Sequence, residues 1–297
     1  MKREANILAN VRKTLILIVG ILIGTFIIND GKAQKKKNSL LWEVEGNGIM
    51  TSYVYGTFHL LPQADFSLRS EITEAFDRSQ QIVLELDMDD PGMQMEMMKN
   101  ISMKDGKTLD QFLNEEELEL LDVQLRSSAG FGLAQAKTFK PFMVETLILP
   151  SFIEGTPASY ELTFVQRAKG QKKEILGLET VEFQTSLFDE IPYEDQAEDL
   201  VEMLSDRSAM ESIFEQMIKV YKEEDIEGLY NASADYFNAQ ELEVLLHKRN
   251  RDWIPKMGEM AKDKSTFFAV GAGHLGGDDG VISLLKKAGY KVKPVKK

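Results

Sequence analysis

The chain has 297 residues, with 35 Lys and Arg against 48 Asp and Glu, a net charge of −13 and no cysteine. That length can bury one large core or two smaller ones. The acidic balance excludes nucleic acid as a partner, since phosphate binding needs a clustered positive surface, and the missing cysteines exclude disulfides and a lipid carried on a lipobox cysteine.

Residues 1–33 open with Lys2, Arg3, Arg12 and Lys13, run through an uncharged apolar stretch at 14–28, and reach the small residues Gly31 and Ala33. This order describes a secretory signal cut after Ala33. The alternative is an uncleaved anchor that tethers the protein to a membrane, although the run is shorter than the ~20 residues of a membrane span. Both readings place the protein outside the cytoplasm, in a periplasmic or extracellular space. Residues 34–39 read as a polar linker and 40–297 as a single domain. Without its first 33 residues the chain keeps 30 basic and 46 acidic side chains. The basic tail, Lys286 to Lys297, reads as a solvated helix face and end strand.

Residues 40–44 and 52–60 alternate as strands do, and Glu45-Gly46-Asn47-Gly48 between them is a strong turn, so a hairpin is expected. Leu68, Ile72, Ala75 and Phe76 recur at helical spacing over 68–79. Residues 81–87 then read as a buried strand ending in acids. From 91 to about 170 the pattern is helical: 109–113, then 115–125 capped by Asn114, an apolar stretch at 139–152 interrupted by Pro141 and Pro150, and a helix at 158–169. Residues 174–179 read as a short strand with an acidic end. A long acidic helical region follows at 192–231, then helices at 237–247 and 249–261, a strand at 266–270, a helix at 280–288 and a last strand at 290–295. The fold class is mixed α+β. A central mixed sheet has helical crossovers, and a large helical insertion at about 90–260 caps a cleft at the sheet rim, a usual place for ligands in open α/β sheets.

Two strand ends carry the chemistry. Tyr55-Gly56-Thr57-Phe58-His59 and Val270-Gly271-Ala272-Gly273-His274 both run from an apolar stretch into Gly-x-x-His, and the chain has only three histidines. The glycine allows a sharp turn, and each motif delivers an imidazole to the sheet rim. Two such rims side by side give two neutral nitrogen ligands for a divalent metal. The plainer reading of each is a hydrogen-bonded structural histidine; the paired context favours function. Glu85, flanked by Leu84 and Leu86, is a carboxylate that needs a cation, a donor or a proton. Glu179, after Gly177-Leu178, is a second candidate of this type, with a salt bridge to a helix as the structural alternative for both. Two imidazoles, a carboxylate and an open position form a familiar catalytic metal arrangement, in which Glu85 completes the site or acts as general base on the bound water. Arg249, read as lying between two helices, can clamp a carboxylate or stabilise an oxyanion, or else form a surface charge pair. His247 reads as a helix-end residue.

Gly271-Ala272-Gly273-His274-Leu275-Gly276 also matches the dinucleotide motif Gly-x-Gly-x-x-Gly. Too little chain follows it, however, and Lys291-Val292-Lys293 stands where an acid should hold the ribose. Met88, Met93, Met95, Met97, Met98 and Met103 read as an adaptable apolar surface on a mobile lid, with Cu(I) binding as the alternative.

With these residues in view the chain resembles the TraB/PrgY/GumN family, the group similar to TIKI-type metalloproteases. The carrying segments are Leu41-Trp42-Glu43-Val44, the two Gly-x-x-His strand ends, Val83-Leu84-Glu85-Leu86-Asp87, Leu176-Gly177-Leu178-Glu179-Thr180, Arg249-Asn250-Arg251-Asp252-Trp253 and Gly289-Tyr290. The resemblance implies both histidines in one site of a mixed α/β fold. It also implies metal-dependent peptide cleavage, with manganese or cobalt as the ion and zinc as the alternative. His59 and His274 match the family's histidines, Glu85 its strand glutamate and Arg249 its downstream arginine. The expected function is that of an exported metal-dependent hydrolase acting on a peptide or small exported substrate. The competing function is a non-catalytic protein that sequesters a peptide or signal in the same cleft.

Overall fold

The computed structural model describes residues 38–295. The expected leader at 1–33, most of the linker, and Lys296 and Lys297 lie outside the described residues. Six strands build the main sheet: β1 (Leu41–Glu45), β2 (Ser52–Thr57), β3 (Gln81–Leu86), β4 (Glu174–Glu179), β5 (Thr266–Gly271) and β6 (Lys291–Pro294). Their order across the sheet is β4-β3-β5-β2-β1-β6. Strands β4, β3, β5 and β2 are mutually parallel, whereas β1 lies antiparallel to both β2 and β6, so the sheet is mixed. The hairpin of β1 and β2 forms as the Gly-rich turn requires, with Leu41 opposite Tyr55.

The two central strands β2 and β5 are buried at every position, as parallel strands covered on both faces must be. On one face Tyr55 and Phe267 meet Phe76 of helix Ser70–Arg78 and Phe164 of helix Tyr160–Gln171. The Phe76 and Phe164 rings stack 5.5 Å apart. On the other face Val54 and Phe268 pack against Met257 and Leu285, from helices Lys248–Met260 and Val281–Lys287. The edge strand β6 alternates exposed and half-buried residues.

The helical stretches between β3 and β5 carry cores of their own. Leu121 and Leu125 of helix Glu115–Ser128 pack with Val144 and Ile148 of helix Pro141–Ile148 and with Leu200 of helix Tyr193–Ser205. Asn114 caps its helix as expected: its Oδ1 accepts from Glu117 N at 3.0 Å, and Glu117 Oε2 accepts from Asn114 N at 2.8 Å. Among the described residues no helix is long and apolar enough to cross a membrane.

Two local expectations need correction, and one rejected motif is seen in place. The helical region at 192–231 is broken into Tyr193–Ser205, Arg207–Lys222 and Ile226–Tyr236. Asp206 leaves helical backbone to cap the second piece, accepting from Ala209 N at 3.0 Å, and Glu224 turns left-handed at φ 57° before the third. The helices at 237–247 and 249–261 are one rod: Ala239–Leu242, a π turn over Glu243–His247, and Lys248–Met260. His247 is therefore inside the rod, bonded to Tyr230 Oη at 3.1 Å, and Arg249 sits within a helix rather than between two. The Gly-x-Gly-x-x-Gly run does not open a helix. A single 3₁₀ turn, Ala272–His274, follows β5, and the next helix begins only at Val281, so the strand-to-helix phosphate cradle of a dinucleotide site is missing.

Candidate functional site

Because β2, β3, β4 and β5 are parallel, their carboxyl ends share one rim. His59 follows β2, Glu85 lies near the end of β3, Glu179 ends β4, and His274 follows β5. The pairing of Thr57 with Gly271 sets the two Gly-x-x-His exits side by side. All four residues singled out from the sequence thus reach one rim, and Arg249 joins them from helix Lys248–Met260.

The glycines serve by being small. Gly271 has φ −53° and ψ 135°, ordinary for any residue, so the sharp-turn explanation fails. A Cβ on it would lie 3.0 Å from His59 Nε2, 3.4 Å from Glu85 Oε1 and 3.5 Å from His274 Cδ2. The missing side chain keeps open a space surrounded by donors. Gly56 works in the same way against the second loop, since a Cβ there would strike Leu275 Cδ1 at 2.7 Å.

Both imidazoles turn Nε2 toward that space. His59 Nε2 and His274 Nε2 each lie 3.9 Å from Glu85 Oε1. Each Nδ1 is held from behind. His59 Nδ1 donates to Glu161 Oε1 at 2.8 Å, and that carboxylate accepts from Thr57 Oγ1 at 2.5 Å and Ser159 Oγ at 2.8 Å. His274 Nδ1 donates to Asn250 Oδ1 at 2.6 Å. Asn250 Nδ2 donates to Asp279 O at 2.9 Å, which fixes the amide's orientation. His59 is 62% exposed and borders solvent, whereas His274 is 6% exposed with its ring centre 4.5 Å from that of Trp253.

Glu85 is already well bonded. Its Oε1 accepts from Gly271 N–H at 2.8 Å, and its Oε2 accepts from Arg249 Nη2 at 2.6 Å and Gln184 Nε2 at 3.3 Å. Glu179 lies behind it with no side-chain exposure. It accepts from Arg249 Nε at 2.9 Å, Arg249 Nη2 at 2.8 Å and Trp253 Nε1 at 2.9 Å. The salt bridge to a helix weighed for both glutamates is thus present: Arg249 bridges the two carboxylates and also donates Nη1 to Leu245 O at 3.0 Å. Its Nη1 lies 3.2 Å from His274 Nε2, so that nitrogen is an acceptor.

The electrostatics follow from these neighbours. Burial pushes the Glu85 carboxyl up, but Arg249, the imidazoles and the Gly271 N–H outweigh it and hold the group well below the usual carboxylate range. Crowding pulls the His59 imidazole down, yet Glu161 and then Glu85 win and hold it up at about 9. Burial likewise opposes ionisation of Glu161, but His59 and Thr57 bring it to about 2. Burial and then Arg249 depress His274 to about 3, so it is neutral. Arg249 is driven further up despite burial by Glu85 and Glu179.

The donor set suits a divalent ion in kind. Two nitrogens converge on one carboxylate oxygen, and each has its other ring nitrogen bonded, the outer support that metal-binding histidines receive. Two donors 2.1 Å from a tetrahedral ion stand about 3.4 Å apart, roughly half an ångström closer than these. Among the described residues no three His, Asp or Glu side chains already form a closed metal set, and Arg249 competes for Glu85 and for His274 Nε2. Closing on an ion therefore requires Arg249 to yield its bond to His274.

Glu161, Asn250, Gln184 and the bonding role of Trp253 were not legible beforehand. Glu161 is the second residue of helix Tyr160–Gln171, in its first turn after the capping residue Ser159, where an acid is ordinary. Asn250 stood in view beside Arg249 without a visible partner.

The chain is 24% identical over 319 residues to metalloprotease TIKI1 of Danio rerio, an alignment covering 87% of this chain. It spans 63% of that relative's length. No solved structure matches. The model of the TraB/PrgY/gumN family matches residues 40–294, and the chain belongs to that family.

Proposed function

We propose that the protein is a metal-dependent hydrolase and that its substrate is a peptide. The observation that carries the reading is the convergence of His59 Nε2 and His274 Nε2 on Glu85 Oε1, 3.9 Å each, around the space that a Cβ on Gly271 would fill. His59, His274 and Glu85 would hold the ion. With nitrogen and oxygen donors and no sulfur, manganese, cobalt and zinc all fit in chemical type. A divalent ion, when bound, polarises a carbonyl and lowers the pKa of water.

The chain's own residues supply the remainder. Glu161 and Asn250 fix the ring orientations, leaving each Nε2 facing inward. Glu85 serves better as a ligand than as a general base, because Arg249 keeps its carboxyl strongly acidic. Arg249 faces the same space with a permanent charge suited to negative charge developing on a substrate oxygen. Glu179 does not reach the open space; it is a positioning residue that holds Arg249. The exposed side of His59 is the approach for substrate. The leader-like order of residues 1–33 supports export to a periplasmic or extracellular space, either cleaved or as a membrane tether. The mass of the mature protein tests that part.

A second reading is supported by a specific observation. Glu85, Glu179, Arg249 and His274 already have hydrogen-bond partners without an ion, as a protein that only sequesters a peptide or signal needs. Elemental analysis and peptide cleavage separate the two. The hydrolase reading expects about one divalent ion per chain, lost in His59→Ala and His274→Ala, and mass-detected products from a peptide library with manganese. Saturable peptide binding without products at any metal would support sequestration and refute hydrolysis.

A further inference from the structure

The helical layer holds a second group of acids that the site does not use. Glu145, on helix Pro141–Ile148, is 6% exposed, and its Oε1 has no hydrogen-bond partner. The charged groups bearing on it are Asp199, from helix Tyr193–Ser205, and Glu241, from Ala239–Leu242. Asp195, Glu198 and Glu202 add negative charge beside Asp199, and the phenol of Tyr236, at the end of helix Ile226–Tyr236, faces the same acids. From its other side, helix Glu115–Ser128 meets the Glu145 helix with Leu121 and Leu125. Carboxyls, a phenol and hydrocarbon therefore surround Glu145.

A buried carboxyl with an unpartnered oxygen among other acids is unstable as an anion, because desolvation and like charge both favour the neutral form. Burial, then Asp199 and Glu241, push Glu145 well above the usual range. Burial, then Glu241 and its neighbours, lift Asp199 to about 7, and burial also raises Glu241.

Glu241 also shares an element with the site. The rod over 239–260 carries Glu241 in its first turns and Arg249 eight residues later, about 12 Å along the axis. Between them lies the π turn Glu243–His247, a feature frequent at functional sites. Leu245 of that turn accepts from Arg249 Nη1. Val244 and Leu245 also share a core with Met143, two residues from Glu145. The cluster and Arg249 are thus both tied to the same irregular turn, the one through Glu241 and Met143 and the other through Leu245 O.

We propose that Glu145, Asp199 and Glu241 form a proton-binding site, and that loss of its protons shifts the π turn and with it Arg249. The inference stands apart from the hydrolase reading, since no step of it needs an ion or a substrate. The sign follows from carboxyls held above their unfolded values. Their stabilising share is complete below the ordinary carboxyl range and is lost as pH rises through about 7.

The test uses the full chain, with Glu145→Gln and Asp199→Asn as permanently neutral variants. In scanning fluorimetry from pH 5 to 9, the wild-type Tm falls as pH passes 7, and each variant flattens that fall. His59 titrates in the same window but is unaltered in both, so its share is common. In hydrogen exchange corrected for intrinsic rate, residues 239–250 exchange about tenfold faster at pH 8 than at pH 6 in wild type, and the difference vanishes in the variants. Should Glu145→Gln fail to fold, Asp199→Asn, at a half-exposed position, carries the comparison. Identical pH slopes and exchange in wild type and variants overturn the proposal. So does calcium chloride that restores the wild-type Tm at pH 8 but not that of Glu145→Gln, because the cluster would then take a metal cation instead of protons.

Discussion

Arg249→Met removes the cation shared by Glu85 and Glu179 while keeping an unbranched apolar stem. The guanidinium donates to Glu85 at 2.6 Å, to Glu179 at 2.8 and 2.9 Å, and to Leu245 O at 3.0 Å. After its loss Glu85 keeps Gly271 N–H, Glu179 keeps Trp253 Nε1, and both keep Gln184 Nε2. Breaking one buried ion pair costs about 3–5 kcal/mol. Here two carboxylates are stranded, with side-chain exposures of 13% and 0%, so the upper part of that range, about 4–5 kcal/mol, applies. For a domain of this size that is a Tm lower by roughly 10–15 °C. The pH dependence has a definite sign. Glu85 is held below its ordinary value of 4.5, so its contribution is present above that pH and fades in acid. The difference between wild type and variant is widest near pH 7 and narrows toward pH 4. Urea denaturation at the two pH values measures it. A loss under about 1 kcal/mol at pH 7, or a difference that does not shrink in acid, would refute the account of Arg249 as the charge that holds both glutamates in place.

Gly271→Ala should fold, because its backbone angles suit alanine, with a cost near the low end of overpacking, about 1 kcal/mol. It should nevertheless lose manganese binding at least tenfold in calorimetry; unchanged affinity would remove the open space from the argument. In Glu161→Gln the His59 imidazole should fall from about 9 toward 6.5 in an NMR titration. The stabilisation complete below 6.5 and lost toward 9 in wild type should disappear with it, and an unmoved titration would contradict the pairing. Manganese affinity should rise with pH, about tenfold per unit below 9, because His59 must release a proton to bind; a flat profile from pH 6 to 8 would exclude it as a ligand.

Much of the sheet was readable because its signals are local. The Gly-Asn-Gly turn fixes the hairpin, and the apolar runs at 81–86 and 266–271 have the length and branching of buried strands. The adjacency of β2 and β5 rests on the Gly-x-x-His pair, a long-range inference that held because both loops need a small residue where they meet. Breaks in the helical layer were less visible. Asp206 and Glu224 end helices through backbone conformations that amphipathic spacing does not encode, and the π turn leaves periodicity almost intact while rotating Arg249 inward. Glu161 and Asn250 stayed hidden for another reason. Their importance lies entirely in partners 102 and 24 residues away, and their residue types are commonplace at a helix start and on a helix face.

The site draws its two imidazoles from opposite ends of the folded region, since β5 must dock between β2 and β3 before His274 can meet His59. A ribosome reaches His274 only 215 residues after His59. Until then the growing polypeptide holds only one imidazole of the pair. A protease that cut just before His274 would part the two imidazoles at a single peptide bond, leaving much of the folded bulk behind.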